Sequence, residues 1–192
     1  MQTIRREEVL ALGEYELIRP HFRARVIEAK RARRARVADD MSIMFENRDT
    51  VLLQIQEMLR TERITQEPGV LHEIETYNDL IPAEGELSAT LFIEIADKEA
   101  RDATLVQLKG LHEHVALEID GVLERGVSAE RSVAGYERTT AVQYFKFPLT
   151  AASVAGLRGG SANIVLVVDH PARKLRVPLD PALVKSLSED VS

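Results

Sequence analysis

The sequence predicts an α+β fold: a mainly antiparallel sheet with helices packed on one face and a helical segment at the N-terminus. Three observations carry this. Helical periods cluster before residue 82, and period-two alternation dominates the remainder. The late strand-like runs are short and separated by turn signals such as Asp120-Gly121, which favours antiparallel pairing over long crossovers.

Element by element, Thr3 can cap a first helix whose apolar side is Val9, Leu10 and Leu12, and Gly13 interrupts it. Tyr15, Leu17 and Ile18 make a second short turn. Pro20 suits the first position of a helix over 20–36, which has a narrow stripe of Phe22, Val26, Ile27 and Ala29 among arginines. Met41, Ile43 and Phe45 then alternate with shorter or polar residues, a strand ending at Glu46. Asn47 is a good N-cap for a helix over 47–64, and Asp49 favours its first turn. A further helix over about 70–81 carries Leu71, Ile74, Leu80 and Ile81 and is closed by Pro82.

ELSATLFIEIAD, 86–97, alternates through Leu87, Ala89, Leu91, Ile93 and Ile95 and is the clearest strand. Asp97 caps a helix ended by Gly110. HVALEID, 114–120, is a strand that turns at Asp120-Gly121 into a short return strand. Residues 126–138 read as a loop, 140–149 as a strand stopped at Pro148, and Thr150 caps a short helix ending at Gly159-Gly160. NIVLVVD, 163–169, is apolar on both faces, which predicts a central strand covered on both sides. RKLRVPLD alternates through Leu175, Val177 and Leu179, and Asp180-Pro181 starts a last helix. No fixed-period repeat or low-complexity tract is present. The chain divides into a basic helical segment, 1–36, packed on an α+β body, 37–192, as one structural unit.

The charge is unevenly distributed. Between 19 and 37, eight cations face the single acid Glu28, so this stretch is strongly basic within a chain of net charge −6. Its patch residues are Arg23, Arg25, Lys30, Arg31, Arg33, Arg34 and Arg36. There are no cysteines, which excludes disulfides, thiolate metal ligands and a cysteine nucleophile. The N-terminus has charges every few residues and is neither a signal peptide nor an anchor, so a cytoplasmic location without membrane contact is expected.

Four stretches, YELIRPHFRARVI at 15–27, FENRDTVLLQIQEMLRTERI at 45–64, YNDLIPAEGELSATLFIEI at 77–95 and AVQYFKFPL at 141–149, resemble an uncharacterised bacterial family, domain of unknown function 3501. The resemblance spans most of the chain. It implies a genomic setting beside a rubrerythrin and an iron–sulfur oxidoreductase, hence redox or peroxide metabolism. It implies no activity and no catalytic residues.

The 47–64 helix carries the main candidate site. Val51, Leu52, Ile55, Met58 and Leu59 form its apolar stripe, and Arg48 lies in line with it at the first helical position. A guanidinium there needs an anionic or carbonyl partner, with Glu46, Asp49, Glu86 and Glu94 as candidates, and a structural ion pair at the strand–helix junction is the simplest outcome. The other side presents Gln54, Gln56, Glu57 and Arg60, with Leu53 among them as a candidate docking leucine. Glu46, Arg48, Gln54, Gln56, Glu57 and Arg60 are therefore the candidate binding residues.

His112 and His114, two apart on a strand, would point the same way and are weak metal candidates. The sequence has no HExxH motif, and no paired ExxH of the kind a ferritin-like di-iron site requires. It also lacks a GxSxG elbow, a Walker loop and a GxGxxG. Gly156–Ser161 follows a helix and precedes a strand, which is a helix stop rather than a phosphate loop. The basic helix has only Phe22 for base stacking, so its readings rank as a solvated face first, a protein partner second and nucleic acid last.

No cofactor and no catalytic residue is assigned. The leading reading is a non-catalytic accessory or interaction protein, its partner in the class of redox proteins, with a homo-oligomer left open. The alternative is a small ligand-binding protein or enzyme whose pocket gathers Glu46, Arg48, Gln56, Tyr77, Glu94 and Gln143, or a metal-binding protein using His112 and His114.

Overall fold

In the computed structural model, which describes residues 1–128 and 137–191, the α+β class holds and is built around two antiparallel sheets. The strands are β1 (Arg34–Ala38), β2 (Met41–Glu46), β3 (Glu86–Ile93), β4 (Val115–Ile119), β5 (Val122–Arg125), β6 (Val127–Ser128), β7 (Val142–Pro148), β8 (Ile164–His170) and β9 (Arg173–Pro178). The five-stranded sheet has the order β1-β2-β3-β7-β6 and the four-stranded sheet β5-β4-β8-β9. The helices are α1 (Leu12–Ala32), α2 (Arg48–Thr61), α3 (Glu67–Asn78), α4 (Lys98–Gln107), α5 (Ala151–Arg158) and α6 (Pro181–Asp190).

Strand alternation explains the two cores. Met41, Ile43 and Phe45 of β2, Leu87, Ala89 and Leu91 of β3, and Phe145 and Phe147 of β7 face Leu117, Ile164, Leu166 and Val168 of the other sheet. Leu105, Leu157, Leu183 and Leu187 from α4, α5 and α6 close this core. A second core lies under the helices: Val51, Ile55 and Leu59 of α2 meet Ile74 and Tyr77 of α3, with Ile4 and Val9 from the N-terminal segment and Tyr144 of β7 against them. The chain crosses between the sheets at Gly126, where a Cβ would stand 2.9 Å from the Phe147 ring and 3.0 Å from both the Phe145 ring and the Val115 carbonyl.

Several predicted boundaries move. Residues 6–8 are a 3-10 turn, and Thr3 caps no helix. One 21-residue helix, α1, runs through both Gly13 and Pro20. Gly13 sits in the first turn, where its flexibility costs little. Pro20 removes one helical hydrogen bond, but the turns around it are held from outside by buried Tyr15 and by Arg19. The helix predicted to reach 36 stops at Ala32, because Arg34, Ala35, Arg36 and Ala38 pair with β2, with a bulge that leaves Val37 unpaired in the ladder and buried. A division at residue 36 therefore falls within β1.

Asn47, Asp97, Thr150 and Asp180 all cap helices as their positions suggest. The predicted loop 126–138 lies partly outside the described residues. β8 is a central strand, yet among the described residues only one side is fully covered: Ile164, Leu166 and Val168 are buried, while Val165 and Val167 stand half-exposed on the outer face. Among the described residues, no helix is long and apolar enough to cross a membrane.

Candidate functional site

Four of the predicted site residues of α2, Arg48, Gln56, Glu57 and Arg60, are consumed in holding the N-terminal segment. Arg48 opens the helix and ion-pairs with Glu8, and its Nε donates to the Gln2 carbonyl at 3.2 Å. It is the junction pin that its position suggests, but its acid comes from the N-terminal turn rather than from Glu46, Asp49, Glu86 or Glu94. No local spacing signals a partner 40 residues away. The Glu8 carboxyl lies below the usual range, chiefly because the Arg5 backbone N–H donates to it and then because of Arg48.

One turn and more along, Gln56 is buried and reads the Leu10 peptide twice. Its Oε1 accepts from the Leu10 N–H at 2.8 Å, and its Nε2 donates to the Leu10 carbonyl at 3.2 Å. Glu57 accepts the Tyr15 hydroxyl at 2.6 Å and both Arg19 nitrogens at 2.8 and 2.9 Å. This bidentate pair holds the Glu57 carboxyl below its ordinary value, and burial followed by the hydrogen bond to Glu57 pushes the Tyr15 hydroxyl up. Arg60 closes the series on Glu16 at 2.6 Å.

Leu53, expected as an exposed docking residue, is buried at 5%. It lines a groove of 370 Å³ between α1 and α2, together with Ile27, Met58, Gln54, Arg23 and Lys30. Gln54 is thus the predicted binding residue that faces this groove instead of clasping the N-terminal segment.

Glu46 has a different setting. It is 1% exposed, on the helix-facing side of β2, and accepts the hydroxyls of Thr50 and Thr90 at 2.5 Å each. Its cross-strand neighbour Ser88 is also buried, and the Ser88 Oγ has no hydrogen-bond partner. This is a neutral-donor layer beneath α2 that alternation alone cannot reveal.

The six-residue pocket does not assemble. Gln143 lies on the same side of β7 as Phe145 and Phe147, facing the core between the sheets, opposite to the helix-facing side that carries Glu46. Glu94 sits past Ile93, the partner of Met41, at the far end of β2 from Glu46, and binds Ser42 and Arg34. Arg48 and Gln56 face the N-terminal segment, and Tyr77 belongs to the helical core.

The histidine pair is corrected too. His112 lies in a 3-10 turn and His114 is its C-cap, so the strand geometry that would aim them together is absent. His114 packs edge-on against His170 with centroids 5.0 Å apart. Among the described residues, no group of three or more His, Asp or Glu side chains is placed to hold a metal.

The basic patch is partly real. Arg23 and Lys30 rim the groove between α1 and α2. Arg25 pairs with Asp49 at 3.0 Å, Arg31 with Glu28 at 2.8 Å and Arg34 with Glu94 at 2.6 Å, and Arg36 donates to the Asp39 carbonyl. Arg33 leaves the patch altogether. It is 3% exposed and donates to the carbonyls of Phe45 and Glu46, to the Ser186 hydroxyl and to Asp190. Nothing in the run RARRAR separates this buried arginine from its solvated neighbours.

The geometry can be set beside known proteins. The crystal structure of a novel protein of unknown function from Burkholderia pseudomallei superimposes with a TM-score of 0.92 at 32% sequence identity, covering 100% of both chains. A search of curated proteins gave no match. The family model described as protein of unknown function (DUF3501) matches residues 3–191. The chain, matched by that model from the N-terminal clasp to the end of α6, therefore belongs to the DUF3501 family.

Proposed function

We propose that this chain is a non-catalytic docking protein of the cytoplasm that presents the basic flank of α1 to an acidic partner protein. The observation that carries this reading is the groove between α1 and α2, lined by Arg23 and Lys30 with Leu53, Met58 and Ile27, and by two acids, Glu62 and Glu57, the latter already paired with Arg19. An apolar floor under a cationic rim suits an acidic amphipathic segment: the floor supplies affinity and the rim supplies steering. α1 is available for this because it buries only Tyr15 and Val26 of its 21 residues. The genomic setting that the family resemblance implies puts a rubrerythrin and an iron–sulfur oxidoreductase first among the partners to try.

The test is direct binding of the purified chain to each of these two proteins at low and at physiological salt. The expected result is an association that weakens as salt rises and falls at least tenfold in Arg23→Glu/Lys30→Glu. No association with either protein, or an affinity indifferent to the double reversal, rejects the reading.

A further inference from the structure

We infer that the outer face of the four-stranded sheet is the docking surface for a second copy of this chain. β8 carries apolar side chains on both faces, the pattern of a strand covered twice, but the described residues cover it once. On the open side, Ala116, Val165 and Val167 lie on adjacent strands, with Leu123 of β5 beside them at 46% exposure. Ala116, Val167 and Leu123 line a shallow concavity of 570 Å³ whose described lining comes from this sheet and the turn before β4, with nothing from the helices α1–α6 or from the five-stranded sheet. A contiguous apolar cluster on an open sheet face suits contact with another protein surface.

Charge selects the occupant. Around the apolar centre stand three acids, Glu113, Glu118 and Asp169, and three bases, Arg125, Lys174 and Arg176. Glu118 accepts Arg176 at 2.8 Å through both oxygens, and Lys174 reaches Asp169 at 3.3 Å, so the signs alternate across the face. A strongly acidic or basic partner finds no net complement here. An identical face turned by a twofold axis does, because each acid can meet a base of the other copy, as an isologous contact requires. The chain carries a net charge of −6, and on this locally balanced face two copies meet little repulsion. Stacking two such faces would bury β8 on its second side, in the manner of a sandwich.

The experiment is the solution mass of the full chain by light scattering across a concentration series. The expected mass is twice the 21.5 kDa of one chain. Leu123→Asp changes an exposed side chain and is expected to give the single-chain mass with an unchanged circular dichroism spectrum, and Val167→Lys is expected to do the same. Arg176→Glu unbalances the face and is expected to weaken the dimer at least tenfold, while Glu118→Arg/Arg176→Glu restores both the balance and the dimer. A wild-type monomer at all concentrations overturns the inference and leaves the face to a different protein or a small ligand. A dimer that survives both Leu123→Asp and Val167→Lys overturns it as well. Neither outcome bears on the groove at α1, which is read separately by its salt-dependent binding.

Discussion

Gln56 replaces water for an entire peptide group: one side-chain amide satisfies both the N–H and the C=O of Leu10. Truncating it leaves two partly buried backbone groups unpaired, so Gln56→Ala is expected to destabilise the fold by about 1–3 kcal/mol. Hydrogen exchange should show the loss concentrated in residues 1–11, with β2 and β3 unchanged. Glu57 acts through charge. Its folded carboxyl titrates below the ordinary glutamate value, so its stabilising effect is complete above that value and disappears as pH falls through the folded one. Thermal unfolding of Glu57→Gln between pH 6 and 3 should therefore be less stable than wild type at pH 6 and should converge with it in acid. A constant gap at all pH values would show that the Arg19 pair carries no charge-dependent stability.

At the scale of elements, the regular strands and caps were legible because alternation and capping are local. Met41–Glu46, Glu86–Ile93 and the caps Asn47 and Asp97 needed no knowledge of distant residues. The polar face of α2 was legible as polar but not as occupied, since its partners lie in a segment of 1–19 with no regular period. α1 was misread for the opposite reason: Gly13 and Pro20 are local breakers overruled by tertiary contacts. β1 was lost among arginines, where Arg34 and Arg36 mask the alternation of Ala35 and Val37. The crossing from β5 to β6 makes its own prediction. Gly126→Ala places a methyl against two phenylalanine rings and a backbone carbonyl, so it should cost about 1–3 kcal/mol in chemical denaturation. An unchanged midpoint would mean that this corner of the two sheets can open without penalty.

For the molecule as a whole, Arg33 is the joint. It stands just past α1, hydrogen-bonds the carbonyls that end β2, and pairs with Asp190 at the end of α6, 157 residues away. Burial outweighs the Arg33 attraction at Asp190, whose carboxyl is raised, so this pair orients more than it stabilises. Removing one partner is another matter: Asp190→Ala leaves a buried guanidinium short of its anion and is expected to cost about 3–5 kcal/mol, measured by urea unfolding. Arg33→Met/Asp190→Leu should recover most of that loss; failure to recover would assign the effect to the carbonyl contacts instead. The same joint sets an order of events during synthesis. The first helix and the strands after it emerge early from the ribosome, yet the positive charge among them waits, unneutralised and drawn towards water, until Asp190 has been made. The clasp of residues 8–19 on α2 can close without α6, but the buried seat of Arg33 cannot, so that seat is expected to be the last part of the N-terminal third to lock.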